Sequence, residues 1–337
     1  MRALITLFSV LLLIVIGIVI YYGLSGEKGS FGNQFEQDKV LDDRGNKIEV
    51  ASLKPLVLAL IPERNIFAQR KRYEALAVEL SRQISQPVEL VSLNTYQSVL
   101  DELASKQIDG AFVGSMLAVL AYDRLGAQIL VKPEHSDGVS TYHGVIFVRD
   151  DSPITQTHQL AGKSIAMVRT TTAAGLFPVY QFYNDGLLTD KHKRPRYRWV
   201  GTHDVVIQEV IAGTVDGGAV KDLRLKAYLD QHPKVKIRSL AVSQSVPDNG
   251  LIVGADMTES QAKQLKDVLL GMDQSPEGRK AMKAFGASRF LNCSIEEYQA
   301  VYQMVEVIGK AWDQLGVSGV PLKQAVSKVN RPAGSKK

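Results

Sequence analysis

Leu103-Ala-Ser-Lys-Gln-Ile-Asp-Gly-Ala-Phe112 and Val210-Ile-Ala-Gly-Thr-Val-Asp-Gly-Gly-Ala-Val220 are near copies of one another. Each closes a helical pattern and opens a short apolar strand at an aspartate, Asp109 or Asp216. Glycine follows the aspartate in both and lets another group approach the backbone closely. A chain that builds this unit twice reads as two similar α/β lobes. Two lobes enclose a cleft, and a cleft with few catalytic groups suggests capture of a ligand rather than its conversion.

The rest of the chain alternates in the same way. Pro55–Ile61 is an apolar run of strand length, Phe67–Ile84 has helical periodicity with Tyr73, Leu76, Ala77 and Leu80 on one face, and Pro87–Leu93 reads as a second strand. Thr95 suits the N-cap of a helix running to Lys106, Asp109–Val113 is a third strand, and Gly114-Ser115 opens the next helix. After the strand His143–Arg149 and the turn Asp150-Asp-Ser-Pro153, a second set runs through strand Lys163–Arg169, helix Ala173–Asn184, strand Tyr197–Val200, helix His203–Ala212 and strand Val215–Val220. Val235–Val242 and Leu251–Val253 read as strands, the latter returning the chain to the first lobe, and Thr258 to Trp312 as helical. Alternating strands and helices predict an α/β fold in which each lobe is a mixed, mostly parallel sheet flanked by helices. The expected organisation is lobe 1 from 55–149 plus 245–320, lobe 2 from 150–244, and a polar tail over 321–337.

Ala3–Leu24 is 22 residues long and carries no charge. A span needs about 20 apolar residues, whereas a secretory signal core has roughly 7–15. Residues 1–24 therefore read as a transmembrane helix, with an uncleaved signal as the variant and a long cleaved signal peptide as the bland alternative. No clear small-x-small cleavage site follows the run. Arg2 keeps that end in the cytoplasm, and Tyr21 and Tyr22 fall where an aromatic belt lies. The body would be tethered on the extracytoplasmic face through a polar linker over 25–54.

The chain has 337 residues, a net charge of +5 and a single cysteine, Cys293. No internal disulfide is available, and Cys293 reads as a small buried residue. The basic residues are spread out apart from Lys191–Arg198, without the aromatic interleaving of a nucleic-acid surface. The six histidines have no metal-ligand spacing, and the zincin, nucleophile-elbow and dinucleotide fingerprints are absent. Gly162-Lys163-Ser164 is not a phosphate loop, because Thr157 stands where the first glycine belongs and the segment runs into a strand.

Arg169-Thr-Thr-Thr-Ala-Ala-Gly175 follows a strand and precedes a helix. Helix N-termini have unpaired N–H groups and a positive dipole end, so they attract anions. Threonine hydroxyls add donors, and small Ala173 and Ala174 admit a ligand to the backbone. The competing reading is that one threonine caps the helix and the others are β-formers. Gly201-Thr-His203-Asp204 and Gly114-Ser115 repeat the strand-to-helix arrangement, and three such helix starts converge on a crevice between lobes.

From Leu56 to about Ile308 the chain resembles the phosphate/phosphite/phosphonate-binding proteins of ABC importers, which are type II periplasmic binding proteins. The resemblance rests on the order and spacing of Ile61-Pro-Glu-Arg-Asn65, Tyr96, Gln107-Ile-Asp-Gly-Ala-Phe-Val-Gly114, Thr141-Tyr-His-Gly-Val-Ile-Phe-Val148, Leu160-Ala-Gly-Lys163, Thr171-Thr172 with Pro178, Gly201-Thr-His-Asp204, Gly213-Thr-Val-Asp216-Gly-Gly-Ala and Pro247-Asp-Asn-Gly250. It implies a two-lobed type II fold, no cofactor, and an oxyanion held between lobes at Thr171, Thr172 and Ala173, with a one-residue register uncertainty. Ala173 replaces a hydroxyl residue of the family pattern, which removes one side-chain donor. Tyr96, Tyr142, His203 and Ser115 match cleft-wall positions, with Asp222 on the second lobe and Asn249 near the return crossover. Hinge motion is expected near Arg149-Asp150 and Val242–Asn249. The implied partners are a small oxyanion and an ABC permease, with no nucleic acid. The alternative is a ligand-sensing subunit of a membrane signalling system. An enzyme on this fold ranks last, since pyrimidine-synthesising relatives need reactive histidine and cysteine groups.

Overall fold

The computed structural model describes residues 53–61 and 66–314, together with an antiparallel strand pair, β1 (Val40–Leu41) and β2 (Lys47–Ile48). The chain divides into two units at Glu49/Val50, and the strand pair is all that is described of the first. It falls within the stretch expected to be a plain linker. The proposed span Ala3–Leu24 and the 321–337 tail lie outside the described residues. Among the described residues no helix is long and apolar enough to cross a membrane.

The second unit holds two sheets. The first has six strands in the order β15-β6-β14-β5-β3-β4. They are β3 (Leu56–Leu60), β4 (Val88–Ser92), β5 (Gly110–Val113), β6 (Gln128–Glu134), β14 (Gly250–Val253) and β15 (Arg289–Asn292). The second has five, in the order β10-β9-β11-β8-β12. These are β8 (Gly144–Arg149), β9 (Ser164–Val168), β10 (Arg196–Val200), β11 (Gly217–Lys221) and β12 (Ile237–Val242). Antiparallel pairings outnumber parallel ones three to two in the first sheet and match them at two each in the second, so "mostly parallel" is corrected to mixed. The physical reason is that the strands beside each crossover, β14 and β8, run against the strands they enter between.

The near-repeat has a structural cause. Asp109 N–H donates to Val57 O while its Oδ2 accepts from Val57 N at 2.7 Å. Asp216 N–H donates to Ser164 O while its Oδ2 accepts from Ser164 N, also at 2.7 Å. Each aspartate therefore closes the start of a parallel strand pair, 52 residues after its partner in both lobes. The helix ends before them match as well. Gly213 and Lys106 occupy equivalent left-handed positions, at φ 72° and φ 56°. Glycine suits that region, and lysine is strained in it.

One lobe assignment needs correction. His143–Arg149, expected at the end of lobe 1, is the inner strand β8 of the second sheet, flanked by β11 and β12. Its run of buried residues from Gly144 to Val148 requires neighbours on both sides, which only that sheet supplies. The crossovers are therefore β7 (Thr141–Tyr142) and β13 (Val246–Pro247), which pair antiparallel as a two-stranded ribbon. The first crossover thus lies at β7 rather than near Arg149-Asp150, and the second, β13, lies within Val242–Asn249. The C-terminal stretch is not wholly helical either. Arg289–Asn292 forms edge strand β15 on β6, itself absent from the sequence reading.

Lobe 1 packs α1 (Ile66–Ile84) and α8 (Pro276–Phe285) over one sheet face. Tyr73, Phe112, Phe285 and Phe290 fill that layer, with Tyr73 edge-on to Phe285 at 4.9 Å. The C-terminal helix α9 (Gln299–Gln314) reaches across to α4 (Phe177–Asn184) of lobe 2.

Candidate functional site

The C-terminal ends of the inner strands converge on one small cavity. Its free volume is about 20 Å³, room for roughly one water-sized group. Its floor is the turn after β9. Thr170 sits there in the left-handed region at φ 58°, a strained position for a β-branched residue. The strain turns the chain sharply into a π turn over Thr172–Leu176, which continues as α4.

The threonines of this turn have different tasks. Thr171 is the cap: its hydroxyl accepts from Ala174 N at 3.3 Å and donates to Val168 O at 2.9 Å. The capping reading thus holds for Thr171. Thr172 is 2% exposed, and its hydroxyl makes no hydrogen bond of good geometry within the protein. It still lies near enough to the Tyr142 phenol to oppose the rise that burial imposes on that group. Burial keeps Tyr142 a neutral donor over the ordinary pH range. Gly144 lets β8 lie against the turn, because a Cβ there would stand 3.0 Å from Ala173 Cα and 2.7 Å from Phe177 Cδ1.

Of the residues expected at the ligand site, Thr171, Thr172, Ala173, Tyr96, Tyr142, His203 and Asn249 line this cavity. Two expected residues do not. Ser115, at the start of α3 (Ser115–Leu125), donates its hydroxyl to Pro247 O at 2.6 Å and ties that helix to the crossover. Asp222, at the start of α6 (Asp222–Gln231), accepts from His143 N at 3.0 Å and Leu223 N at 2.7 Å. Both bonds fall on Oδ1, so that oxygen of the carboxylate serves the backbone. Gly114 caps α3 without a side chain, so the wall there stays open: a Cβ would meet Asn249 Oδ1 at 3.3 Å. His203 begins α5 (His203–Ala212), whose cap Thr202 accepts from Val205 N.

Lys221 was missed. It closes β11, is 5% exposed and lines the cavity. Its ammonium pairs with the buried Asp248, donates to Asn249 Oδ1 at 3.3 Å and sits 4.4 Å from the Tyr142 ring centroid. Asp248 in turn accepts from His135 Nε2 at 2.6 Å. Burial alone would raise the Asp248 carboxyl, but the Lys221 charge and the His135 hydrogen bond outweigh it and hold the group well below the usual carboxylate range. The same hydrogen bond raises His135 above the ordinary histidine value, against the opposing effect of burial. A signal for Lys221 was present in the repeat. Counting five residues on from Asp109 gives Gly114, and from Asp216 gives Lys221, the two cavity-facing strand ends.

Cys293 lies outside this lining, and burial pushes its thiol up to about 11. Among the described residues no group of three or more His, Cys, Asp or Glu is placed to hold a metal ion.

Residues 58–298, well over half of the chain, match the family model described as ABC transporter, phosphonate, periplasmic substrate-binding protein. A probable ABC transporter phosphite binding protein, PhnD1, of Prochlorococcus marinus (strain MIT 9301) is 23% identical over 272 residues, covering 76% of this chain and 91% of its own length. The structure of PhnD1 from Prochlorococcus marinus in complex with methylphosphonate superposes with a TM-score of 0.66 at 20% identity, covering 76% of this chain and 99% of that one. A binding protein component of an ABC phosphonate transporter from Pseudomonas aeruginosa superposes with a TM-score of 0.68 at 16% identity, covering 82% of this chain and 93% of that one. The chain belongs to the phosphonate periplasmic substrate-binding protein family of ABC transporters.

Proposed function

We propose that this protein captures a small phosphorus oxyanion, a phosphonate, phosphite or phosphate, between its lobes and delivers it to an ABC permease. The observation that carries the reading is the buried turn at Thr171–Ala173. It presents backbone N–H groups and the Thr172 hydroxyl to the cavity. Such a helix start favours an anion through its unpaired N–H groups and its dipole. Tyr96, Tyr142, His203 and Asn249 complete the wall from the other elements. Tyr142 lies on one crossover and Asn249 just beyond the other, so rotation about the ribbon moves wall residues relative to the turn. The relative PhnD1, described as a probable phosphite binding protein and solved in complex with methylphosphonate, supports a phosphorus oxyanion over sulfate. The uncharged run Ala3–Leu24 behind Arg2 supports tethering to the extracytoplasmic face of the membrane.

The test is titration calorimetry on the full-length protein in detergent against methylphosphonate, phosphite, phosphate and sulfate. Saturable one-to-one binding of a phosphorus oxyanion, with sulfate far weaker, is expected. Binding of none of the first three by folded protein would remove the reading.

A further inference from the structure

We infer that His135, in its doubly protonated form, is a positioning residue for ligand capture: through Asp248 it holds Lys221 and Asn249 on the cavity wall, so that oxyanion binding is linked to proton uptake and weakens as pH rises past neutrality. The inference rests on the phosphorus-oxyanion reading above and deepens it.

His135 follows β6 in lobe 1, and both of its ring nitrogens meet acceptors. Nδ1 lies 2.9 Å from Gly286 O, at the end of α8, and Nε2 lies 2.6 Å from Asp248 Oδ2. A carbonyl oxygen can only accept, and so can an ionised carboxylate. Asp248 is held in its ionised form by its other partners, since Oδ1 accepts from Asn249 N at 2.7 Å and from the Lys221 ammonium. A neutral imidazole has one N–H and one bare lone pair, and would set that lone pair against one of the two oxygens. The imidazolium donates to both. The His135 side chain is 22% exposed, so solvent protons reach it although Asp248 behind it is buried.

Asp248 joins this ring to the cavity. It stands between crossover β13 and β14, and its N–H donates to Ser140 O, just before crossover β7. Both groups that donate to its Oδ1, Lys221 and Asn249, belong to residues that line the cavity. Lys221 closes β11 in the second sheet and His135 leaves β6 in the first, so the series His135–Asp248–Lys221 runs from one lobe to the other beside the ribbon. The charges that bear on the ring are Asp248, which favours the imidazolium, and Lys221, which opposes it more weakly. Next to it in the chain, the Glu134 carboxylate pairs with Arg289 of β15, and Asp137 Oδ1 accepts from Val139 N. Whatever else Lys221 touches, a proton on His135 adds one positive charge behind the wall that an oxyanion would face. Binding of the anion and of the proton therefore favour each other by the same factor. One charge acting across the intervening carboxylate, screened by solvent at the ring, gives a coupling of about tenfold.

The experiment is calorimetric titration of methylphosphonate into the full-length protein in detergent, wild type and His135→Asn, at about pH 6 and about pH 8.5, either side of the histidine range. The affinity ratio of the two proteins is taken at each pH, so that ionisation of the ligand cancels. The expected ratio is about tenfold in favour of wild type at the lower pH and within about twofold at the higher. A ratio that is the same at both would overturn the inference, since a role in packing alone does not titrate. A second readout needs only the wild type. Nitrogen NMR of histidine-labelled protein should place the His135 midpoint about one pH unit higher with saturating methylphosphonate than without it, the change that a tenfold coupling requires. A midpoint that saturating ligand leaves unchanged or lowers would overturn the inference, whether or not the variant folds, while leaving the oxyanion reading intact. Failure of methylphosphonate to bind wild type at either pH would bring down that reading and the inference with it.

Discussion

Substituting Thr172 and Thr171 separately by alanine should produce opposite effects on binding and stability. The two hydroxyls are neighbours in sequence but differ in their partners. Thr171 Oγ1 accepts from Ala174 N and donates to Val168 O, so Thr171→Ala removes a helix cap and should lower unfolding free energy by about 1 kcal/mol. Thr172 Oγ1 has no hydrogen bond of good geometry in the protein and lies beside the Tyr142 phenol, so Thr172→Ala removes a buried hydroxyl with at most a weak contact to that phenol. Stability should be unchanged or slightly higher, because burying an unpaired polar group is itself unfavourable. Binding should respond the other way. A hydroxyl donating to a charged oxyanion contributes about 1.5–3 kcal/mol, so Thr172→Ala should weaken the oxyanion by roughly 10- to 150-fold. The assays are urea denaturation for stability and calorimetric titration of methylphosphonate for affinity. A Thr172→Ala protein that binds within about twofold of wild type would refute the assignment of that hydroxyl to the ligand.

Three further outcomes follow from the same geometry. Gly144→Ala should fold less stably by about 1–3 kcal/mol and lose affinity, because the new Cβ meets Ala173 Cα at 3.0 Å and pushes on the anion-facing turn; unchanged calorimetric affinity would contradict this. Lys106→Gly should raise the urea midpoint, by about 0.5–1 kcal/mol in free energy, since φ 56° is strained for lysine and the matching position is already Gly213; the exposed Lys106–Asp256 ion pair that is lost contributes little. The His135–Asp248–Lys221 cluster should give stability a pH optimum on the acidic side. The raised His135 contributes fully below the unfolded histidine value and loses that contribution as pH rises through its folded value. The depressed Asp248 contributes above the unfolded aspartate value and loses it as pH falls through its folded value. Both contributions are present together between roughly pH 4 and 6.5, so the melting temperature should fall from there toward pH 8, and His135→Asn should flatten that alkaline fall.

Much of the architecture was legible because it repeats. Asp109 and Asp216 close equivalent strand pairs, and a carboxylate that must accept from a neighbouring strand leaves a mark in the sequence. Long apolar runs such as Leu56–Leu60 and Gly144–Val148 were also readable, since strands buried on both faces are apolar without alternation. Strand direction and sheet membership were less accessible. His143–Arg149 has the same composition whichever sheet receives it, and nothing local says that it lies between β11 and β12. Edge strand β15 was lost because Arg289-Phe-Leu-Asn292 is short and buries chiefly Phe290, in a stretch that otherwise reads as helix.

The site divided along similar lines. Thr171, Thr172, Ala173 and His203 stand at helix starts after strands, where sequence reasoning about anion sites applies directly. Ser115 and Asp222 stand at such starts too, yet their oxygens serve the crossover and the β8 entry instead. Which oxygen faces the cavity depends on backbone partners distant in sequence, and residue type does not encode those. Lys221 was passed over because lysine is ordinarily a surface residue. Its burial depends on Asp248, which the chain reaches only after passing through α6, β12 and the second crossover.

The most direct measurement of the central claim is a crystal structure of the protein soaked with methylphosphonate. The account predicts phosphonate oxygens within hydrogen-bond distance of the backbone N–H groups at Thr172 and Ala173 and of the Thr172 hydroxyl, with the methyl group toward Ile61, Met116 and Leu117. A phosphonate bound elsewhere, or a cavity occupied by a ligand that does not touch the Thr171–Ala173 turn, would contradict it.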